Sequence, residues 1–280
     1  MALILAATPL GNPGDASARL KAAIESATII AAEDSRRFHR LCLDIETTFT
    51  ARVLSFFEGN EEDRTRELIN ELQSGATVLV LSDAGMPTIS DPGFRLMRDA
   101  IELGIEVSVI PGPSAVTMAV ALSGLPTDRF TFEGFPPRAS GARISTFEKL
   151  RHEARTMVFF EAPHRLGDSL GDAISVFGAE RRGAICREMT KRYEETIRGT
   201  LAQLSSWADA NEVLGEITLV IAGASEDSAA TTAEEMVARV REFEGAGMDR
   251  KGAIASVAQE FGIAKRLVYA AVVDANKMSS

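Results

Sequence analysis

Residues 77–93, TVLVLSDAGMPTISDPG, place a short apolar run directly before a turn-rich segment. The run at residues 77–81 has the length and the β-branched content of a fully buried strand. The following segment, residues 82–93, contains two glycines and two prolines. Because proline fixes the backbone and glycine tolerates unusual dihedral angles, this segment predicts a rigid turn at the carboxyl end of the strand.

The same succession of strand and turn occurs twice more in the first 125 residues. Residues 3–7 run into the turn cluster at residues 8–14, and residues 106–110 run into residues 111–115. Any one of these turns by itself indicates only a loop. In an open parallel sheet, however, ligands bind outside the carboxyl ends of the strands. Three such turns therefore predict a common crevice.

Strand and helix signals alternate through this half of the chain. Further strands are predicted at residues 28–32 and 53–57. Apolar strands separated by helices predict an α/β fold whose parallel sheet is covered on both faces. Helices are predicted after a cap at Asp15, from Asn60 to Gly75, over residues 94–103 and over residues 114–123.

The remainder of the chain predicts two further units. The turn at residues 125–128 marks the end of a first domain, residues 1–125, and a second α/β domain with a mixed sheet spans residues 126–223. A low-complexity linker follows at residues 224–232, and a helical domain at residues 233–280. Ala258 and Gly262 lie between two apolar-periodic helices, a spacing typical of a helix-turn-helix. The expected strands are residues 130–135, 156–160, 184–187 and 217–222, and the expected helices are residues 144–154, a segment after Pro163, residues 201–210, 254–261 and 265–272.

The composition excludes several classes of protein. The 280 residues are 45% hydrophobic and 25% charged, unlike a disordered or collagen-like chain. The apolar runs are too short to span a bilayer, and the amino terminus predicts a first strand instead of a signal peptide. Cys42 and Cys186 are too few for a disulfide framework or a zinc site, so no metal is expected. We therefore expect a cytoplasmic protein with no membrane partner.

The charge is distributed unevenly along the chain. The net charge is −10, yet residues 129–155 and residues 181–198 each carry a net +3. A docked polyanion and ordinary solvated faces both account for these two basic islands.

Four blocks of sequence, at residues 7–15, 32–36, 81–93 and 111–117, stand at or beside the predicted strand ends. These blocks resemble the tetrapyrrole methylase (class III) superfamily. Further blocks at residues 124–130, 160–166, 187–191 and 215–216 are similar to the members of this superfamily that methylate ribosomal RNA. Met86 and Ala162 depart from the usual pattern, which affects the shape of the pocket and removes no charged or nucleophilic group.

The resemblance implies both the fold and the reaction. It implies two α/β domains with S-adenosylmethionine in the cleft between them, and a homodimer. The implied reaction transfers a methyl group to the ribose 2′-hydroxyl of a cytidine in the decoding region of 16S rRNA, within the small ribosomal subunit. The donor contacts implied by the resemblance are Pro9, Leu10, Gly11, Asp83, Ala84, Gly85, Met86, Ser114, Ala115, Phe160 and Ile217.

Charged residues that interrupt or adjoin buried strands are the candidates for the acceptor side, because a buried charge without a partner is costly. Glu33, Asp34 and Arg36 fit either this site or a helix cap. His164 fits a first-turn residue better than a general base. Lys191 fits a phosphate contact better than a base, and its removal would flatten the salt dependence of RNA binding by about one unit. Arg165 completes the set.

Two other functions remain open. A methylase of a small tetrapyrrole or corrinoid would share the donor crevice, but the basic islands and the C-terminal helices count against it. An RNA-binding protein without activity would not require Asp83 or the turn at residues 111–114.

Overall fold

The computed structural model describes residues 2–224, 233–261 and 265–278. Two five-stranded sheets, each covered by helices, are followed by three C-terminal helices. The predicted α/β class is therefore confirmed. None of the helices in the described ranges is long and apolar enough to cross a membrane.

The first sheet is entirely parallel, with the strand order β3-β2-β4-β1-β5. Side chains alternate along β4, so that Leu79 faces one layer of helices and Val78 the other. This confirms the predicted parallel sheet covered on both faces. The strands are β1 (Ala2–Ala6), β2 (Ile29–Ala32), β3 (Arg52–Ser55), β4 (Thr77–Leu81) and β5 (Val107–Ile110), and the covering helices are α1 (Ala18–Ser26), α2 (Ser35–Asp44), α3 (Glu61–Gln73) and α4 (Phe94–Glu102).

The second sheet is mixed, as predicted. Its order is β6-β7-β10-β8-β9, and only the β6–β7 pair is parallel. The strands are β6 (Phe130–Phe132), β7 (Thr156–Glu161), β8 (Arg182–Arg187), β9 (Glu195–Thr200) and β10 (Ile217–Ile221), and the helices after the first sheet are α5 (Ala115–Ser123), α6 (Ser140–Lys149), α7 (Leu166–Phe177) and α8 (Leu201–Ala210).

Helix α5 joins the two units. It follows the last strand of the first sheet, yet its buried residues Val116 and Val120 pack on Val158, Ala184 and Val220 of the second sheet. The domain boundary at residue 125 stays a prediction, but the first 125 residues already cover part of the second sheet.

Several local expectations were wrong, and one strand was not expected. Asp15 does not cap α1, because it lies in a short 3-10 turn and the Ser17 hydroxyl accepts the hydrogen bond from the Leu20 amide at 3.0 Å. Helix α6 begins four residues before the expected start at residue 144, because Arg143 is a buried charged residue inside it and breaks the apolar pattern. The edge strand β9 was not predicted, since its side chains are mostly polar.

The C-terminal helices share a small core of their own. They are α9 (Ala233–Gly245), α10 (Arg250–Glu260) and α11 (Lys265–Met278). Ala258 is buried in this core beside Val268 and Val272, which confirms a helical unit at the end of the chain. Gly262 and residues 225–232 of the expected linker lie outside the described residues.

Candidate active site

The three predicted turns meet because their strands are neighbours in the sheet. The order β4-β1-β5 places the carboxyl ends of these strands side by side. The Thr8 amide donates to the Gly85 carbonyl at 2.9 Å, and the Gly85 amide donates to the Thr8 carbonyl at 3.1 Å. Gly85 adopts a φ of 83°, which glycine tolerates without strain. Two of the turns are thereby joined into one rigid rim.

A cavity of 390 Å³ lies at this rim, between the two sheets. Its first wall comes from the turns after β1, β4 and β5, and its second wall comes from β7, β10 and the loops beside them. The volume lies within the range of about 300–1,000 Å³ that is usual for small-molecule sites. The arrangement is therefore a ligand pocket between two α/β units.

Two carboxylates brace the ends of β2 and β4. Glu33 Oε2 accepts from the Asp83 amide at 3.0 Å, and Asp83 Oδ1 accepts from the Asp34 amide at 3.0 Å. Arg37 Nη1 lies 3.4 Å from Asp83 Oδ2. Burial raises the pKa of both Glu33 and Asp83. Charge-assisted hydrogen bonds thus join the loop after β2 to the loop after β4.

Asp91 is a third carboxylate in the wall of the cavity. Burial, followed by the nearby charge of Glu33, raises its pKa to about 7. The wall of the cavity therefore includes several carboxyl groups, of which Asp91 changes its protonation near neutral pH.

Most of the expected donor contacts line this cavity. They are Leu10, Asp83, Ala84, Gly85, Met86, Ser114, Ala115, Phe160 and Ile217. Pro9 is buried behind the rim and does not line it. Gly11 lies under the Lys191 side chain, where an added Cβ would overlap Lys191 Cγ. The role of these residues in binding a donor stays a prediction.

The expected acceptor residues are more dispersed. Glu33 lines the cavity, whereas Asp34 caps α2 by accepting from the Arg36 amide at 2.8 Å. The side chain of Arg36 pairs with Asp34 at 2.8 Å and holds the pKa of that carboxyl below its ordinary value. His164 is exposed in a 3-10 turn after β7 and is not part of the cavity wall.

Lys191 and Arg165 are held by carboxylates. Lys191 Nζ lies 2.9 Å from Glu188 Oε1 and 3.1 Å from Glu216 Oε2. Burial alone would lower the pKa of Lys191, but its hydrogen bonds to both carboxylates raise it. Arg165 Nε lies 3.3 Å from Glu161 Oε1. Neither cation is therefore an unpaired contact for phosphate.

Sequence reasoning missed several residues of the wall. Arg37, Ile89, Asp91, Phe135 and Met189 all line the cavity. Asp91 belongs to the stretch that predicts the fold, but its raised pKa depends on burial and on the charge of Glu33, which lies elsewhere in the chain. Phe135 stands between Gly134 and two prolines, a pattern typical of a fixed loop. The expected strand at residues 130–135 therefore ends at Phe132 in the structure.

Comparison with known proteins identifies the family. The family model for tetrapyrrole (corrin/porphyrin) methylases matches residues 2–205 of the chain. The chain belongs to this family. The match includes both sheets except the central strand β10 of the second one, and it ends before the C-terminal helices.

Curated relatives within the tetrapyrrole methylases match nearly the whole chain. The ribosomal RNA small subunit methyltransferase I of Mycobacterium tuberculosis (strain ATCC 25618 / H37Rv) is 47% identical over 276 residues, covering 98% of this chain and 95% of the relative. The enzyme of the same name from Pseudomonas aeruginosa is 42% identical and covers 95% of each chain.

A solved tetrapyrrole methylase shares the fold. The structure of uroporphyrin-III C-methyltransferase from Thermus thermophilus complexed with S-adenyl homocysteine superimposes with a TM-score of 0.56 at 15% identity. The match covers 79% of this chain and 97% of that one.

Proposed function

We propose that the chain is an S-adenosylmethionine-dependent methyltransferase of small-subunit ribosomal RNA. In its finer form, the proposal is 2′-O-methylation of a cytidine ribose in the decoding region of 16S rRNA. The observation that carries it is the cavity at the joined turns, in a chain 47% identical over 98% of its length to a ribosomal RNA small subunit methyltransferase I.

The residues of the cavity suit this donor. Leu10, Met86 and Met189 provide apolar surface, and the carboxyls of Asp83 and Glu33 favour a cation. Gly85 leaves room at the rim, since an added Cβ would lie 3.3 Å from Leu10 Cδ2. When bound, the donor supplies a methyl group on a positively charged sulfur.

In this proposal, the chain aligns the acceptor hydroxyl with the methyl group and supplies a base that accepts its proton. Holding the acceptor oxygen in line with the methyl group is worth up to about 7–11 kcal/mol of the barrier. The attacking hydroxyl must also lose its proton, and a base is most effective when its pKa is near the working pH. Asp91 is a wall residue with a pKa of about 7, so it suits this role.

The acceptor side requires cations that are not already neutralised. Many arginines of the two basic islands are paired internally, including Arg143 with Asp172 and Arg155 with Glu153. Arg138 and Arg192 are exposed and take part in none of the ion pairs among the described residues. They are the better candidates for phosphate contacts.

The proposed acceptor is the assembled small subunit, the proposed working unit is a homodimer, and the proposed location is the cytoplasm. The similarity of the whole chain to the ribosomal RNA methyltransferases supports the first of these. Light scattering coupled to size exclusion measures the second, and a mass corresponding to one chain would contradict it.

Methyl transfer from labelled S-adenosylmethionine tests the reaction directly. The protein is incubated with unmodified small subunits or with a corrinoid precursor, and the RNA is digested to nucleosides. We expect label in 2′-O-methylcytidine. Label on a nucleobase would overturn the finer proposal, and label only in the corrinoid would overturn the RNA substrate. Calorimetry with the donor alone shows whether the protein binds it.

A further inference from the structure

Phe135 is an exposed aromatic ring in the wall of the cavity. Its side chain lines the cavity, yet the residue remains 56% exposed. It belongs to the loop at residues 134–138, which follows β6. A ligand that covers this ring would remove its apolar surface from water, which is favourable.

The buried Arg143 and the partly buried Arg165 both donate hydrogen bonds to the backbone of this loop. Arg165 Nη2 donates to the Pro136 carbonyl at 2.6 Å, while its Nε lies 3.3 Å from Glu161 Oε1. Arg143 Nη1 donates to the Arg138 carbonyl at 3.2 Å. Ion pairs inside a protein cost desolvation, so they are weak evidence for stability alone. Here their remaining donors fix the carbonyls of Pro136 and Arg138 in this loop.

The ring is also supported from the side. The Phe160 amide donates to the Gly134 carbonyl at 2.9 Å, which joins the loop to β7. The rings of Phe135 and Phe160 lie 5.5 Å apart between centroids, at an interplanar angle of 60°. Phe160 in turn packs edge-on against Phe132 at 4.8 Å. Phe135 is therefore the exposed end of a row of three fixed rings.

The opposite unit contributes a second apolar residue to the same cavity. Ile89, in the turn after β4, lines the cavity and is 40% exposed. The mouth thus has an aromatic side chain from one unit and an aliphatic side chain from the other. Apolar surfaces of this kind favour a flat, apolar-faced group over a phosphate.

We infer that Phe135 is the surface on which the base of the acceptor nucleotide stacks when its ribose enters the cavity. This inference rests on the proposed function. RNA bases that lie outside a helical stack are commonly held on aromatic side chains. Because the loop is already fixed in the free protein, little conformational entropy of the Phe135 side chain is lost when RNA binds.

Three variants separate stacking from simple packing. F135L keeps apolar volume and removes the ring, F135W keeps a ring, and F94L removes a ring that is 59% exposed but not in the cavity wall. For each, kcat/KM for small subunits and the Kd for S-adenosylmethionine are measured, with the melting temperature as a check of folding.

The expected pattern is specific. F135L lowers kcat/KM about fivefold or more, since that is the lower range for loss of one base stack. F135W recovers most of this loss, F94L matches the unsubstituted chain, and the donor Kd stays the same in all three.

Several results would overturn the inference. Full activity of F135L excludes stacking, and equal losses in F135L and F135W assign the residue to loop shape. A weaker donor Kd in F135L places the ring in the donor site. If the unsubstituted chain binds donor but labels no RNA, the proposed function itself fails, and the inference fails with it.

Discussion

The carboxyl of Asp91 makes the folding stability of this protein depend on pH. It takes its unusual pKa from burial and from the charge of Glu33, which follows a different strand. An acid with a raised pKa binds protons more tightly in the folded chain than in the unfolded one. Its contribution to stability is therefore greatest at low pH and is lost as the pH rises through 7.

Replacing Asp91 with asparagine should remove this dependence. We expect D91N to melt at a higher temperature than the unsubstituted chain at pH 8, with a clearly smaller difference at pH 5. Thermal melts at both values measure it, and D63N, at an exposed position on α3, is the control. An equal shift at both pH values would show that Asp91 does not titrate in this range.

Gly85 permits a second test at a single residue, because Gly104 is a matched control. Both adopt positive φ, at 83° and 69°, but only Gly85 has neighbours near an added Cβ. We expect G85A and G104A each to lower the free energy of unfolding by about 1 kcal/mol. Only G85A should also weaken the binding of S-adenosylmethionine in calorimetry. Equal donor affinity in the two variants would remove Gly85 from the donor site.

Among the elements, α6 and α7 are joined by a buried ion pair that also supports the site. Arg143 Nε lies 2.7 Å from Asp172 Oδ2, and the two side chains are 4% and 16% exposed. This pair positions the loop at residues 134–138 through the Arg143 guanidinium. Its effect on the site is therefore indirect, through the backbone.

Breaking this pair should cost much more than breaking one at the surface. We expect R143M to lower the free energy of unfolding by about 3 kcal/mol, because Asp172 loses its charged partner. The control R151M removes the exposed pair with Glu148 and should cost no more than about 1 kcal/mol. Urea titrations measure both, and equal losses would contradict the distinction.

At the scale of the whole molecule, ion pairs with nearby carboxylates decide which lysine and arginine side chains are available to contact RNA. The sequence predicts that removing Lys191 flattens the salt dependence of RNA binding by about one unit. In the structure, Glu188 and Glu216 already hold the Lys191 ammonium. Arg192 beside it is exposed, with its guanidinium 5.4 Å from the centroid of the Tyr193 ring.

The salt slope of binding to small subunits therefore distinguishes the two side chains. We expect R192Q to reduce the slope by about one unit and K191M to reduce it less. Filter binding over a range of salt concentrations measures the slopes. A full reduction in K191M with none in R192Q would restore the prediction made from the sequence alone.

The sequence by itself determined the five strands of the first sheet, the turns after β1, β4 and β5, and the α/β class. These depend on apolar runs and on glycine and proline at fixed spacing, which are properties of adjacent residues. For the same reason, it identified most of the wall that those turns build, including Asp83, Gly85 and Ser114.

Only the tertiary structure decided the packing of α5 on the second sheet, the burial of Asp91, the pairing of Lys191 and the exposure of Phe135. Each depends, wholly or in part, on residues far apart in the chain that the order of strands brings together. Burial and charge pairing arise from these distant neighbours, so no local pattern at these positions predicts them.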